Sequence, residues 1–153
     1  MIAHRQSVSE TLEPLQTSEV EASWVGRELS APDVVVRGKR ILLVEDQDLV
    51  RAALRMMLEL DGHLVTEASN GEEALKLFRI GGFDLIITDF EMPMMKGNEL
   101  AVSLKLVAPS LPILMITASE RARGHAENPV DALLNKPLTV PDLRSALGKL
   151  LSR

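Results

Sequence analysis

Hydrophobic and polar positions fall into a repeating order from Lys39 onward. Ile41-Leu42-Leu43-Val44 is a short, fully apolar run, the pattern of a strand buried on both faces. Leu49, Ala53, Met56, Met57 and Leu60 then recur at helical spacing, with Asp48 as N-cap and Asp61-Gly62 as the stop. His63 to Ala68 reads as a second strand. Asn70-Gly71-Glu72-Glu73 opens a second helix that holds Ala74, Leu75, Leu77 and Phe78, and Gly81-Gly82 ends it. Asp84 to Thr88 is a third strand, Gly97 to Val107 a helix, Pro112 to Ile116 a fourth strand, and Ala132-Leu133-Leu134 the centre of a fifth. The last helix starts at Thr139, where Thr139-Val140-Pro141-Asp142 has capping-box form with proline just inside the start. It runs to about Leu151.

Strands and helices thus alternate, and alternation with apolar strands implies an α/β fold: a parallel sheet with helices on both faces. Right-handed crossovers leave few topologies, of which the flavodoxin-like order 2-1-3-4-5 is the most economical. Residues 1–38 lack this periodicity until Val34-Val35-Val36 and are acidic on balance, with Ser, Thr and Pro scattered through them. They are expected to form an N-terminal extension, partly flexible. Ser18-Glu19-Val20-Glu21 has capping-box spacing, and Val20, Trp24 and Val25 share a helical face, which predicts a short helix near 19–29. Residues 39–153 are then the folded domain.

Composition narrows the function classes. Hydrophobic residues make up 46% of the 153 positions, enough for a core at this length, but aromatics make up only 3%, so aliphatic side chains must fill it. The absence of cysteine removes disulfide and thiolate chemistry. The net charge is −5 and no basic run occurs, which argues against a nucleic-acid partner. No apolar stretch approaches the roughly 20 residues that span a bilayer, so a soluble cytoplasmic protein without membrane partners is expected. His63 and His125 have no spaced partner and read as structural, and Met92, Met94 and Met95 read as loop packing.

Candidate chemistry sits at the strand ends. In open α/β sheets the site lies at the carboxyl ends of the strands, at the switch point, which strands 1 and 3 flank in this order. Strand 1 ends in Glu45-Asp46 and strand 3 in Asp89, so three carboxylates converge. Such a cluster repels itself unless a cation or protons neutralise it. Few carboxylates with room for several waters suit Mg²⁺, and a carboxylate beside that ion can attack a phosphoryl group. Strand 4 ends in the hydroxyl of Thr117 and strand 5 in Asn135-Lys136, whose ammonium can pair with carboxylates or phosphoryl oxygens.

These residues closely resemble the receiver domains of two-component signalling. The resemblance runs from about Lys39 to Leu151. It is carried by Glu45-Asp46, by Asp84-Leu85-Ile86-Ile87-Thr88-Asp89-Phe90-Glu91-Met92-Pro93 with Met95 and Gly97, by Thr117-Ala118, and by Lys136-Pro137. It implies that Asp89 is the phosphoacceptor and that Asp46 binds Mg²⁺ directly, with Glu45 acting through its water and the main-chain carbonyl of Glu91 as a further ligand. Thr117 and Lys136 would hold phosphoryl oxygens, Ala118 would leave room for the donor, and the Lys136-Pro137 bond would be cis. The donor would be a histidine kinase or a histidine phosphotransfer protein, and chemistry would be self-directed, so the domain would not be a metabolic enzyme.

Two features depart from the family pattern. Receivers usually carry Tyr or Phe three residues before the lysine, whereas this chain has Leu133. The segment from Thr117 to Lys136 is also a few residues shorter than usual, and Ser119 to Pro129 is poor in apolar residues, so helix 4 is expected to be short or frayed. Nothing after Leu151 has the length of an output domain, so a single-domain regulator acting by protein contact or onward phosphotransfer is expected, and a homodimer is left open. Two other classes compete. A Mg²⁺-dependent aspartyl-nucleophile phosphatase usually places a second Asp two residues after the first, where this chain has Glu91. A degenerate receiver would act as a phosphorylation-independent binding module.

Overall fold

The computed structural model describes residues 35–124 and 128–152. The helix expected near 19–29 and His125 lie outside the described residues. The elements are β1 (Arg40–Val44), α1 (Asp48–Leu60), β2 (Leu64–Ala68), α2 (Gly71–Ile80), β3 (Leu85–Thr88), α3 (Gly97–Val107), β4 (Ile113–Thr117), α4 (Arg121–Gly124), β5 (Ala132–Asn135) and α5 (Val140–Leu151). The five strands form one sheet in the order β2-β1-β3-β4-β5, every pairing parallel. This is the flavodoxin-like arrangement that the alternation of elements implies, and α4 is four residues long among those described.

Strand pleating divides the core. Ile41 and Leu43 of β1 join Leu85, Ile87, Leu114 and Ile116 on one face, against Leu54 and Leu58 of α1 and Leu143, Leu147 and Leu150 of α5. Leu42 and Val44 join Ile86 and Ile113 on the other, against Ala74 of α2 and Leu100, Ala101 and Leu104 of α3. Both faces are covered, which is why the central strands read as unbroken apolar runs. Each of these leucines contributes about 1.5–3 kcal/mol by leaving water. A smaller cluster of Phe90, Met115 and Ala122, with Val130 and Leu133 packed against it, ties β3, β4, α4 and β5 together.

Two details differ from the pattern-based expectation. Gln47 caps α1 without a side-chain bond, and Asp48 begins the helix as its first acidic residue. The apolar positions Leu49, Met56 and Leu60 of that helix face solvent, while Leu54 and Leu58 are buried and Val50 and Met57 pack beside them. Two apolar stripes run along α1, and periodicity alone does not say which one meets the sheet. The caps of α2 and α5 match local sequence chemistry. Asn70 accepts from the Glu73 N–H at the start of α2, and Thr139 and Asp142 exchange bonds at the start of α5.

Candidate functional site

The carboxyl ends of β1 and β3 lie side by side, with Val44 in register with Thr88. The next residues of each strand therefore emerge together. Glu45, Asp46 and Asp89 each present an oxygen within 4.8 Å of the others. The arrangement is held by main-chain bonds: the Asp89 N–H donates to the Val44 carbonyl at 3.2 Å and the Glu45 N–H to the Ala68 carbonyl at 3.1 Å. Glu45 and Asp89 are buried, Asp46 half-buried.

Lys136 reaches this cluster from the end of β5. Its ammonium donates to Glu45 Oε2 at 2.6 Å and to Asp89 Oδ2 at 2.9 Å. The Lys136 N–H donates to the Thr117 carbonyl at 3.0 Å, which fixes its backbone beside the cluster, and the Lys136-Pro137 peptide is cis. Burial is the largest influence on Glu45 and raises its pKa, and the bond from Lys136 only partly opposes it. Burial alone would lower the pKa of Lys136, but its bonds to Glu45 and Asp89 outweigh that and raise it. One ammonium thus faces three carboxylates, and the cluster remains short of positive charge.

The second oxygen of Asp89 meets the backbone. Oδ1 accepts from the Phe90 N–H at 2.6 Å and from the Glu91 N–H at 3.3 Å. The Asp89 main-chain carbonyl accepts from the Thr88 hydroxyl at 2.9 Å. Gly97 closes the loop from below: its N–H donates to the Phe90 carbonyl at 2.9 Å, and a Cβ on it would stand 1.9 Å from the Asp89 carbonyl oxygen. Only glycine fits there, a requirement of close approach and not of unusual backbone angles.

The remaining candidates fall around this centre. Thr117 is buried at the end of β4, and its hydroxyl oxygen accepts the Ser119 N–H at 3.1 Å. Ala118 beside it is exposed. The Glu91 carboxylate turns to the Ser119 hydroxyl at 3.3 Å and lies 4.0 Å from the Lys96 ammonium. Leu133 packs against the Phe90 cluster. Pattern reasoning did not single out Ser119, nor Arg51, whose guanidinium donates to the Glu45 main-chain carbonyl at 2.8 Å and so braces the end of β1. Both act through contacts between separate elements, for which the chain carries no local signal. Gly97 was visible as part of a motif, but its purpose was not.

The donor set is what a hard divalent cation takes: several carboxylate oxygens, no sulfur or imidazole, and an opening to water at Asp46. The charge shortfall around buried Glu45 and Asp89 is the observation that makes such an ion fit. Alongside the acids lies a groove of about 520 Å³ that is almost wholly apolar, formed by Val50, Ala53, Met57, Pro137 and Leu138 and edged by Ala118 and Lys136. Among the described residues no helix is long and apolar enough to cross a membrane.

Comparison with known proteins agrees with this geometry. The family model of the response regulator receiver domain matches residues 41–148. Response regulator MprA of Mycolicibacterium vanbaalenii is 36% identical over 118 residues, covering 74% of this chain and 51% of its own length. The autoinducer 1 sensor kinase/phosphatase LuxN of Vibrio campbellii is 32% identical over 127 residues, covering 80% of this chain but 15% of its own length. The chain therefore spans only part of these relatives. Among solved structures, response regulator protein TrrA of Thermotoga maritima, in complex with Mg(2+)-BeF, has a TM-score of 0.71 and 35% identity, over 74% of this chain and 99% of that one. Vibrio cholerae chemotaxis protein CheY4 has a TM-score of 0.69 and 28% identity, over 74% and 99%. With its sheet order, its clustered strand-end acids and a family match over most of its length, the chain belongs to the response regulator receiver domains of two-component signalling.

Proposed function

We propose that this domain accepts a phosphoryl group on Asp89 from a phosphohistidine of a histidine kinase or histidine phosphotransfer protein, in a Mg²⁺-dependent reaction. The observation that carries this reading is the placement of Lys136 between Glu45 and Asp89, beside a third carboxylate. A carboxylate oxygen of Asp89 forms the new P–O bond as the P–N bond breaks. The electron pair leaves with the imidazole nitrogen, which the histidine proton on the other ring nitrogen helps to keep neutral. Lys136 is poised to follow the developing charge from the carboxylate to the phosphoryl oxygens, and the Thr117 hydroxyl is offered to the same oxygens from β4. Bound Mg²⁺ would neutralise the acids and the incoming phosphoryl charge, held by Asp46 and Asp89, by Glu45 through water, and by the Glu91 main-chain carbonyl. Ala118, exposed and small, leaves the approach to Asp89 uncrowded. The apolar groove that reaches Lys136 and Ala118 suits the aliphatic face of a donor protein's helix.

In this reading the chemistry is self-directed, namely acceptance followed by slow hydrolysis, and the domain acts in the cytoplasm through protein contact or onward transfer. The residue two places after Asp89 favours this over a phosphomonoesterase: the Glu91 carboxylate is engaged with Ser119 and Lys96. The folded unit would be residues 39–153, with 1–38 as its extension. Radiolabelled transfer from purified candidate kinases and phosphotransfer proteins, with Asp89→Ala as control, tests the proposal. Label that reaches the wild type and not the variant supports it, and equal labelling of both would overturn it.

A further inference from the structure

The main chain at the end of β1 carries two neighbouring carboxylates, and α1 supplies a brace for it. The Glu45 N–H donates to the Ala68 carbonyl of β2, Glu45 Oε1 accepts from the Gln47 N–H at 3.2 Å, and Oε2 accepts from the Lys136 ammonium. The Glu45 carbonyl accepts from Arg51 Nη1 at 2.8 Å, a bond that comes from the first turn of α1. That carbonyl belongs to the peptide group between Glu45 and Asp46. The group is planar, so the direction of its C=O sets the two flanking Cα atoms and with them the roots of both acidic side chains.

The guanidinium is itself well anchored. Its Nη2 pairs with Asp48 Oδ1 at 2.7 Å in the same turn, and its Nε lies 3.5 Å from Glu67 Oε1 on β2. The Arg51 side chain is only 17% exposed, so water and salt screen these contacts less than they would a surface pair. The planar fork gives up little freedom for each bond it makes. No side chain caps the start of α1 at Gln47, so Arg51 is what joins the first turn of the helix to the end of β1. One side chain thus ties β1, α1 and β2 to a single peptide group.

We infer that Arg51 is a positioning residue for the divalent cation, acting through the Glu45–Asp46 peptide group. The inference rests on the Mg²⁺ site proposed above. Two effects of the side chain oppose each other, so the sign of the result tells them apart. As a positive charge near three acids, Arg51 repels a cation, and its removal would tighten Mg²⁺ binding. As a brace it keeps both carboxylates in place, and its removal weakens binding. The charge is already met by Asp48 and Glu67, so its field at the acids is small and positioning wins. Loss of an outer partner that orients metal ligands costs roughly 10–100-fold in affinity. Glu45 keeps its bonds to Ala68, Gln47 and Lys136, which places the effect at the low end of that range. Arg55, one turn further along α1, is the matched control: its hydrogen bond goes to Glu67 Oε2 at 2.9 Å and not to the end of β1.

The test titrates magnesium chloride into the full-length wild type, Arg51→Met, Arg51→Gln and Arg55→Met, followed by calorimetry and by amide NMR shifts. Urea unfolding in EDTA checks that each variant is folded. Arg51→Gln, which keeps a polar group beside Asp48 on a shorter side chain, serves if the Met variant does not fold. Both Arg51 variants should bind Mg²⁺ about tenfold more weakly than the wild type. In EDTA, before any metal is added, their Asp46 amide signal should already be shifted and broadened. Arg55→Met should bind as the wild type does or slightly more tightly. Wild-type or tighter binding by a folded Arg51 variant would overturn the inference, as would an undisturbed Asp46 signal or an equal weakening in Arg55→Met. A wild type that takes up no Mg²⁺ would instead strike the proposed metal site, and the wild-type titration separates the two.

Discussion

Replacing Gly97 with alanine should disrupt the domain from a position that carries no reactive group. The added Cβ would meet the Asp89 carbonyl oxygen at 1.9 Å, the Asp89 carbonyl carbon at 2.8 Å and the Phe90 Cα at 3.0 Å. All three are main-chain atoms, so no side chain can swing aside, and ordinary contact begins near 3.4 Å. Either α3 moves off the sheet or the end of β3 moves, and the bond from the Gly97 N–H to the Phe90 carbonyl is stretched. Overpacking of this kind costs about 1–3 kcal/mol, and a lost internal hydrogen bond about 1 kcal/mol. The less flexible unfolded chain returns roughly 0.4–1 kcal/mol. The net loss is about 2–3 kcal/mol, or roughly 6–15 °C in Tm for a domain of this size. Urea unfolding of Gly97→Ala beside Gly82→Ala measures it, because a Cβ on Gly82 would meet nothing within 4 Å. Gly82→Ala should match the wild type or gain up to about 1 kcal/mol from the less flexible unfolded chain. Equal stability of the two variants would refute the close-approach reasoning.

Three other outcomes follow from the same geometry. Asp46→Asn removes one charge from the acid cluster and should raise stability in EDTA by about 0.5–1 kcal/mol, while abolishing the stabilisation that added Mg²⁺ gives the wild type. Thermal melts with and without the ion check both effects. Gly148→Ala, inside α5 with nothing within 4 Å of the new Cβ, should stabilise by about 0.5–1 kcal/mol, readable from the urea midpoint. His63 is buried and accepts the Lys39 N–H on Nδ1 at 3.1 Å. Burial holds its pKa below the ordinary imidazole value of 6.5, with Asp61 opposing and Lys39 assisting. On acidification the unfolded chain takes the proton first, so stability holds above pH 6.5 and falls as the pH drops from there towards the folded pKa. His63→Gln should remove that part of the slope. A separate loss below about pH 3.8 belongs to Asp61, whose carboxylate the Arg144 guanidinium holds below its usual range.

The fold was legible because a parallel sheet covered on both faces leaves a plain trace. β1, β3 and β4 are continuous apolar runs whose neighbours in space are decided by topology rules and not by sequence distance. The gathering of Glu45, Asp46 and Asp89 was legible for a related reason, since adjacent strand ends in a known order must bring their next residues together. What stayed hidden was rotational or long-range. Leu49, Met56 and Leu60 share helical spacing with the inward residues of α1, and only packing against the sheet tells the two stripes apart. That Lys136 divides its ammonium between Glu45 and Asp89 depends on side-chain reach. The braces from Arg51 to the Glu45 carbonyl and from Ser119 to Glu91 join elements that carry no mutual pattern. Leu133 could be marked as a missing ring from the sequence, but that its cluster is built on Phe90 could not.

The most direct test of the central claim is intact and peptide mass spectrometry after incubation with phosphoramidate, with Mg²⁺ or with EDTA. The account predicts a gain of one phosphoryl group that requires Mg²⁺, maps to the peptide containing Asp89, is released by hydroxylamine as an acyl phosphate must be, and is absent from Asp89→Asn. A phosphoryl group that maps to another residue, or that survives in Asp89→Asn at the wild-type level, would contradict it.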